Sequence, residues 1–314
     1  MEFGASIGQP MQSHLVVAVV LNFGDLCSTI SCVESLLASD WKTVAVVVSD
    51  NSSDMLLKDR VAGMGPRVVY VDNHGNLGYS GGNNSGIEVA LSMGAECVFV
   101  VNNDVCVVKD CVRTLVRAYS SLGESLGALY PQVRTESPSS HCSLGGRITI
   151  DGRSVHMLLP SRNVASVGGM HSEIDWIPGA AIFFSRKALL DVGLFESDFF
   201  CFCEDVDWSL RARARGFKLF NCPDAVVVHI GGNTTSKMPA EFREYYPLRN
   251  RLIVAFRHYR LIIALIVLLR ALMYDLLLLS LKELLGNGNS LYLVRMQAIK
   301  DALLRQMKWK FLPH

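Results

Sequence analysis

The chain has 314 residues, a formal net charge of +1 and a pI near 7.6. A charge so close to zero gives no overall attraction to a phosphate backbone, so we predict no nucleic-acid partner. Half of the residues are hydrophobic and the mean hydropathy is +0.28, which is high for a soluble enzyme. The length fits one large domain with an appendage or two modest domains, and the apolar excess lies in the C-terminal quarter.

The N-terminal residues and the cysteines indicate the compartment. Residues 1–13 contain two glycines and a proline but no basic stretch followed by an apolar core, so we predict a flexible leader rather than a signal peptide. The nine cysteines show no repeating spacing and their number is odd. This pattern favours free thiols in a reducing, cytoplasmic setting over a disulfide framework.

Four short β-type runs alternate with helical patterns in the first hundred residues. The runs are 14–21, 44–48, 67–71 and 97–101, and helical spacing of apolar residues covers 30–37. This alternation predicts a doubly wound, mostly parallel α/β sheet. Ligands of such sheets bind outside the carboxyl ends of the strands, where each run here meets polar or glycine-rich sequence. One edge of the sheet is therefore predicted to gather the binding residues.

The fourth run ends at Asn102, Asn103 and Asp104. A carboxylate at that edge suits a hard divalent cation that shares its oxygen ligands with a substrate phosphate. The alternative is a polar turn in which Asp104 caps a helix beginning near Lys109.

A glycine- and asparagine-rich stretch, residues 73–86, follows the third run. Glycine lets the backbone approach a ligand closely, and a helix beginning near Asn83 would offer free N–H groups to an anion. The dinucleotide pattern GxGxxG is absent, which argues against an NAD site. The alternative is a flexible turn.

The pattern becomes irregular between residues 126 and 169, which predicts antiparallel strands that close over the sheet edge. Small residues beside an aromatic side chain then follow at 176–181, ahead of an apolar run at 182–184. They suit either an acceptor pocket or core packing.

An acidic cluster consists of Glu204, Asp205 and Asp207. It begins a helical stretch that Gly216 ends. At a helix N-terminus the dipole helps to keep a carboxylate ionised, as a general base must be. The alternative is an ordinary acidic first turn. A strand at 225–228 follows and ends on His229, which is either a metal ligand or a core histidine.

Seven segments in this order resemble glycosyltransferase family 2, and the closest likeness is to its bacterial rhamnosyltransferase-like branch. They are residues 19–25, 49–54, 73–87, 101–105, 176–189, 204–216 and 226–235, with residues 245–251 beyond them. The resemblance implies a GT-A fold, in which a doubly wound, mostly parallel nucleotide-binding sheet carries a small antiparallel acceptor-side portion. We therefore expect a leader at 1–13, a catalytic domain at 14–235 and an α-helical C-terminal appendage at 236–314.

The resemblance also implies roles for individual residues. Asp205 matches the catalytic base beside Glu204, Asp104 matches the metal-binding aspartate, and His229 resembles the histidine of the metal shell. Asn102 stands where the family has the first aspartate of its DxD element, so a weakly held Mg²⁺ or Mn²⁺ recruited with the nucleotide sugar is expected. The implied nucleotide-sugar site comprises Asn22, Asp50 (as the reader of the base), Asn76, Gly78, Gly82, Asn83, Asn102 and Asn103, and the implied acceptor site comprises Trp176, Gly179 and Ala180.

The function so implied is inverting, metal-dependent sugar transfer in cell-surface polysaccharide biosynthesis. The donor would be a dTDP- or UDP-sugar such as rhamnose, and the acceptor a hydroxyl of a glycan or lipid-linked glycan. One carboxylate base and one metal site suffice for this reaction. The alternatives are a sugar-phosphate nucleotidylyltransferase and a non-catalytic carbohydrate-binding or scaffolding protein with the same fold.

Residues 261–281 form a run of about 20 mostly apolar residues, long enough to cross a bilayer, interrupted by Arg270 and Asp275 and preceded by arginines. Two charges in the hydrocarbon core would be costly, so we favour helices that lie at the membrane interface over a spanning segment. The expected location is the inner face of the cell membrane, with the protein peripheral to it. The alternative is a helical domain for homo-oligomerisation.

Overall fold

The computed structural model describes residues 14–135, 141–160, 171–230, 238–284 and 290–304. The predicted leader and the predicted domain boundary at residue 235 lie outside these ranges, so the domain division stays a prediction. The ten strands described are β1 Val16–Asn22, β2 Val44–Asp50, β3 Val68–Asp72, β4 Cys97–Asn102, β5 Val105–Val107, β6 Leu126–Thr135, β7 His141–Ile148, β8 Ser154–Pro160, β9 Ala181–Ser185 and β10 Lys218–His229.

The nine α-helices described lie mainly between these strands and in the C-terminal quarter. They are α1 Leu26–Leu37, α2 Met55–Ala62, α3 Gly78–Ser92, α4 Cys111–Leu122, α5 Arg186–Val192, α6 Glu204–Ala214, α7 Ala240–His258, α8 Leu261–Leu284 and α9 Ser290–Leu303. A short 3₁₀ helix covers Ser197–Phe199.

The strands form one sheet in the order β3-β2-β1-β4-β9-β6-β10-β5. The neighbours from β3 to β4 are parallel, whereas β9 runs antiparallel to both β4 and β6. The hairpin β7–β8 extends from β6 outside this path. The predicted parallel sheet with an antiparallel portion is therefore confirmed, and β1, β2 and β4 are fully buried over most of their length because helices cover both faces.

Several predicted boundaries are wrong. Helix α3 begins at Gly78, five residues before Asn83, because Gly78 adopts a φ of +73° that lets the chain turn into the helix. Asp104 does not cap a helix, since it lies between β4 and β5, and Asp110 stands before α4. Strand β10 begins at Lys218 rather than at residue 225.

The C-terminal helices share a second apolar cluster with the segment that precedes α6. Buried side chains of α7, α8 and α9 pack there with Trp176, Phe199 and Phe200. Asp207 of α6 strengthens the junction, because its buried carboxylate accepts hydrogen bonds from Arg257 and His258 of α7 at 2.9 and 2.8 Å. Within the part of the chain that the structure describes, no helix has the length and apolarity needed to cross a membrane.

Candidate active site

A pocket of about 210 Å³ lies at the carboxyl ends of β1 and β4. Parallel strands of this sheet end at one edge, so side chains far apart in the sequence meet there. Six of the residues predicted for ligand binding line the pocket: Asn76, Gly78, Asn102, Asn103, Asp104 and His229. The sequence prediction of one shared binding edge therefore agrees with the geometry.

Asp104 and His229 form a pair at one wall of the pocket. His229 reaches this position because β10 runs antiparallel to β5, and its Nε2 lies 3.0 Å from Oδ1 of Asp104. That carboxylate oxygen is buried and takes part in no hydrogen bond with any described residue. An orphaned carboxylate oxygen beside an imidazole fits a divalent cation, whose usual ligands are of these kinds. Among the described residues no group of three or more His, Cys, Asp or Glu side chains could hold a metal, so substrate oxygens and water would have to complete the coordination.

Asn103 begins a hydrogen-bond chain that runs below the pocket. Its Nδ2 donates to Oγ1 of Thr29 at 3.1 Å, and Thr29 donates to Oδ1 of Asn22 at 2.7 Å. Asn22 in turn donates to Oδ1 of Asp50 at 2.8 Å. Thr29 was not singled out from the sequence, because an isolated threonine in a helix carries no motif.

Asn22 and Asp50 are fully buried and lie beneath the pocket instead of facing it. Besides Asn22, Asp50 accepts hydrogen bonds from the amides of Ser52 and Asp54 and from the hydroxyl of Tyr70. In this structure the carboxylate of Asp50 holds the ends of β2 and β3, and its contact with a nucleotide base stays a prediction.

Gly82 and Asn83 also differ from their predicted placement. A Cβ at Gly82 would lie 2.5 Å from Cδ1 of Leu21, so the glycine allows α3 to approach β1. Asn83 is buried and donates to the carbonyl oxygen of Tyr79 at 2.9 Å. Neither residue lines the pocket, whereas Asn51 donates to the carbonyl oxygen of Gly78 and lines it.

The acidic pair Glu204 and Asp205 follows a strained loop. Phe200, Phe202 and Cys203 have φ values of 64°, 73° and 65°, which are uncommon for residues with a Cβ. Asn250 of α7 holds this loop, since its Nδ2 lies 2.8 to 2.9 Å from the carbonyl oxygens of Phe199, Cys201 and Phe202. Asn250 lies within residues 245–251, which carry part of the family resemblance, but no pattern in the sequence indicates this role.

Burial sets the protonation of both acids. It raises the pKa of Asp205 to about 6, against two backbone hydrogen bonds, from the Val206 and Gly179 amides, that favour the ionised form. The pKa of Glu204 is raised well above its ordinary value, first by burial and then by the charge of Asp205. Burial therefore outweighs the hydrogen bonds and the helix dipole that favour the ionised forms, but a pKa of about 6 still leaves Asp205 mostly ionised at neutral pH. The divergence favours Asp205 as the member ionised near neutral pH.

Tyr79 connects the acidic pair with the pocket. Its hydroxyl donates to the carbonyl oxygen of Gly179 at 2.5 Å, and the amide of Gly179 donates to Oδ2 of Asp205 at 2.9 Å. Burial and the negative charges of Glu204, Asp205 and Asp104 raise the pKa of Tyr79, so its phenol stays protonated. Asp205 and Asp104 therefore lie on the same side of the molecule, with Tyr79 near both.

The predicted acceptor residues divide into two groups. Gly179 and Ala180 bridge the site, since the carbonyl oxygen of Ala180 accepts from the amide of Asn102 at 3.0 Å. Trp176 is 4% exposed and packs against His156 with ring centroids 4.9 Å apart. Its indole nitrogen is buried and makes no hydrogen bond to a described residue. Trp176 is therefore well packed, and its contact with the acceptor stays a prediction.

Residues 19–149 match the family model described as glycosyl transferase family 2. The chain is 27% identical over 219 residues to a low-salt glycan biosynthesis hexosyltransferase of Haloferax volcanii, covering 67% of this chain and 66% of that protein. It is 24% identical over 242 residues to the N-acetylglucosaminyl-diphospho-decaprenol L-rhamnosyltransferase of Mycobacterium tuberculosis, covering 71% and 78%.

Solved structures with a similar fold cover most of the chain. The mannosyltransferase PcManGT from Pyrobaculum calidifontis, in complex with GDP-Man and Mn²⁺, aligns with a TM-score of 0.54 and 15% identity over 97% of this chain and 92% of that one. GalNAc-T7 with UDP, GalNAc and Mn²⁺ aligns with a TM-score of 0.60 and 14% identity over 78% of this chain. This chain spans 48% of GalNAc-T7.

Proposed function

Because the chain carries a glycosyltransferase family 2 domain over residues 19–149 on a GT-A fold, we propose that it transfers a sugar, with inversion, from a nucleotide diphosphate sugar to a hydroxyl acceptor. The observation that carries the proposal is the position of Asp205, a carboxyl with a pKa of about 6 that is tied through Gly179 and Tyr79 to the pocket of Asp104 and His229. A base with such a pKa is mostly ionised at neutral pH and still holds a proton more firmly than an exposed aspartate.

Asp205 would take the proton from the acceptor hydroxyl as the oxygen attacks the anomeric carbon. The Gly179 amide fixes the orientation of the carboxylate, and the raised pKa makes it a stronger base than an exposed aspartate. Burial and the charge of Asp205 raise the pKa of Glu204, so this carboxyl would remain protonated beside the base. With Asp205 ionised and Glu204 protonated, the site supplies one carboxylate base, and inverting transfer requires only one.

The departing nucleoside diphosphate needs its charge neutralised. Asp104 and His229 would hold an Mg²⁺ or Mn²⁺ that supplies this neutralisation without an acid catalyst. The asparagines of the pocket, Asn76, Asn102 and Asn103, would donate hydrogen bonds to the sugar and phosphate oxygens. Two structurally similar glycosyltransferases contain Mn²⁺, which supports a divalent cation here.

The relatives support a donor class and an acceptor class. We propose a dTDP- or UDP-sugar, with rhamnose as the transferred sugar, and a lipid-linked glycan acceptor of cell-surface polysaccharide biosynthesis, since one relative is a rhamnosyltransferase whose name includes a diphospho-decaprenol. The chain would act at the inner face of the membrane, held there peripherally by its C-terminal helices.

A thermal-shift panel tests the donor site. Melting is measured with dTDP, UDP or GDP, with and without Mn²⁺, for the wild type, for Asp104→Asn and for the control Asp110→Asn at the exposed start of α4. Mass action predicts that one nucleotide raises the melting temperature and that Mn²⁺ enlarges the shift. Asp104→Asn should lose the metal-dependent part, whereas Asp110→Asn should retain it. Equal melting temperatures for the wild type under all conditions would contradict the proposal.

A further inference from the structure

Asp207 lies two residues after the proposed base Asp205, in the first turn of α6. Successive residues of an α-helix are about 100° apart around its axis, so these two side chains leave α6 on nearly opposite sides. Asp205 accepts a hydrogen bond from the amide of Gly179, whereas Asp207 accepts hydrogen bonds from α7. A rotation of α6 that moved one of the two carboxylates would therefore also move the other.

The carboxylate of Asp207 is fully buried and accepts hydrogen bonds from three side chains. Its Oδ1 accepts from Nη1 of Arg257 at 2.9 Å and from Nε2 of His258 at 2.8 Å. Its Oδ2 accepts from Nε of Arg211 at 2.8 Å. An ionised carboxylate can only accept, so Nε2 of His258 carries a proton in this contact. We name Asp207, Arg211, Arg257 and His258 together the Asp207 cluster.

The three donors keep Asp207 ionised in spite of its burial. Burial alone would raise the pKa of Asp207. The hydrogen bond from His258 and the charges of Arg211 and Arg257 outweigh this effect, so the pKa lies below the ordinary value of an aspartate. Asp207 therefore remains an acceptor for its partners at pH values at which Asp205 takes up a proton.

The two arginines of the Asp207 cluster also contact the segment before α6. Nη1 and Nη2 of Arg211 donate to the carbonyl oxygens of Val192 and Leu194 at 2.9 and 2.8 Å. The guanidinium carbon of Arg257 lies 5.6 Å from the ring centroid of Phe199. The cluster therefore joins α6, α7 and the segment before α6 at one buried carboxylate.

The first turn of α6 begins without a capping side chain. Cys203 occupies the N-cap position with a φ of 65°, and its side chain makes no capping hydrogen bond to the described residues. In many helices a side chain at this position bonds the free amides and so holds the first turn. The position of the first turn of α6 therefore depends on tertiary contacts. The Asp207 cluster supplies charge-assisted hydrogen bonds, which are stronger than neutral ones.

We propose that the Asp207 cluster positions the base of the reaction, because it fixes the rotation of α6 and so keeps Asp205 at the amide of Gly179. This inference rests on the proposed sugar transfer and gives α7 a part in it. Asp207 does not line the donor pocket, so it is a positioning residue that acts through Asp205. Arg257 and His258 lie at the end of α7 and are distant in sequence from the acidic pair that they hold in place.

Two variants of His258 test the cluster while the buried carboxylate stays unchanged. His258→Leu removes the donor to Asp207, whereas the side-chain amide of His258→Gln can still donate to it. Misplacement of a catalytic group by about 1 Å lowers the rate about a hundredfold. We expect kcat to fall about ten- to a hundredfold in His258→Leu and to be largely restored in His258→Gln. Initial rates with a sugar on a short polyprenyl diphosphate as acceptor measure kcat.

Nucleotide affinity is the second readout. His258 does not line the donor pocket, so both variants should bind the nucleotide with the wild-type dissociation constant. Isothermal titration measures this constant. A fall in kcat at unchanged nucleotide affinity indicates a misplaced base, whereas a general loss of structure would lower both.

Asp40→Asn is the matched control for the variant Asp207→Asn. Asp40 pairs with Arg113 of α4 at 2.8 Å, its side chain is 21% exposed, and neither residue lines the donor pocket. The melting temperature should fall in both variants, because each removes the charge of a carboxylate that is held in an ion pair. Only Asp207→Asn should also lose kcat, by the same factor as His258→Leu.

The outcomes separate the positioning role from the proposed function. A wild type that transfers sugar from none of the dTDP-, UDP- or GDP-sugars would refute the proposed sugar transfer itself. An active wild type, with an unchanged kcat in folded His258→Leu, would refute only the positioning role. Equal losses of kcat in His258→Leu and His258→Gln, or a parallel loss of nucleotide affinity, would also overturn it. Arg257→Gln, at a side chain that is 31% exposed, carries the same expected fall in kcat should the more buried variants fail to fold.

Discussion

The amide of Gly179 donates a hydrogen bond of 2.9 Å to Oδ2 of Asp205. The carbonyl oxygen of the same glycine accepts from Tyr79 at 2.5 Å, and a Cβ at this position would lie 3.2 Å from the Tyr79 hydroxyl oxygen. Gly179 therefore joins the proposed base to the donor pocket through its own backbone. The orientation and the basicity of Asp205 both depend on this contact, which leads to predictions about each.

The pH dependence of transfer is expected to report the buried acids. Since the pKa of Asp205 is raised to about 6, kcat/KM should fall about tenfold per pH unit below pH 6 and level off above about pH 7. The apparent value belongs to the Glu204–Asp205 pair, because the two carboxyls influence each other. Initial rates in constant-ionic-strength buffers measure the profile, and an acid limb at about pH 4 would contradict it.

The raised pKa of Asp205 also makes the free energy of unfolding depend on pH. Stability falls as the pH rises, whereas activity increases. Between the ordinary pKa of 3.8 and about 6, the folded protein holds a proton on Asp205 that the unfolded chain has lost. The contribution of this group to the free energy of unfolding is therefore fully present below the unfolded pKa and is lost as the pH rises through 6. Denaturant titrations at several pH values across this window give the free energy of unfolding. This free energy should fall more steeply with rising pH in the wild type than in Asp205→Asn.

Asp205→Asn should lower kcat by about two to four orders of magnitude, the range for loss of a general base, because an amide cannot accept the acceptor proton. Nucleotide binding should remain, since Asp205 does not line the donor pocket. Isothermal titration of the nucleotide beside initial rates measures both quantities. Glu204→Gln is the matched control and should retain much more activity, and substantial transfer by Asp205→Asn would remove Asp205 from its role.

Asn250→Ala is expected to reduce kcat through the loop before α6. The variant removes the amide that bonds the carbonyl oxygens of Phe199, Cys201 and Phe202. These bonds hold a loop in which three residues have a positive φ. We expect a loss of roughly 1–3 kcal/mol in the free energy of unfolding, together with a fall in kcat at unchanged nucleotide affinity.

Asn84→Ala is the control that distinguishes an effect on the free energy of unfolding from an effect on the position of Asp205. Asn84 of α3 bonds both backbone groups of Phe195, so Asn84→Ala should cost similar stability without misplacing Asp205. Equal kcat losses in the two variants would show that Asn250 acts only through stability. A shift in the acid limb of the pH profile for Asn250→Ala alone would indicate that it positions the base.

Gly146→Ala should move Trp176. A Cβ at Gly146 would lie 2.0 Å from Nε1 of the indole, so the ring must shift, at a cost of about 1–3 kcal/mol for overpacking. We expect KM for the acceptor to rise while KM for the donor stays constant. Gly63→Ala is the control, because its nearest contact would be at 3.4 Å. Unchanged acceptor KM in Gly146→Ala, as measured by initial rates, would leave Trp176 with a packing role only.

Much of the sheet was predictable because its pattern is local. Continuous apolar runs such as 44–48 specify strands buried on both faces, and the helical runs between them specify parallel neighbours. The polar residues directly after a strand, such as Asn102 to Asp104, meet at one edge for the same reason. Six pocket residues were predicted from the strand ends together with what the family resemblance implies.

The direction in which some of these residues face was not predictable. Asp50 and Asn22 stand at strand ends as expected, yet Tyr70 and Thr29 turn their polar groups inward to form hydrogen bonds. Gly82 packs against β1 and Asn83 donates to the carbonyl oxygen of Tyr79 within α3, which starts at Gly78, where the loop before α6 lies close. Such orientations depend on contacts between residues that are far apart in the chain.

The sequence by itself determined the order of strands and helices, the family resemblance, and the residue types present at the shared sheet edge, since each is encoded in short local patterns. The tertiary structure alone decided that burial raises the pKa of Asp205 and that Asn250 holds the loop before it. These properties depend on burial and on distances across the fold, because desolvation and hydrogen bonding act between neighbours in space rather than in sequence.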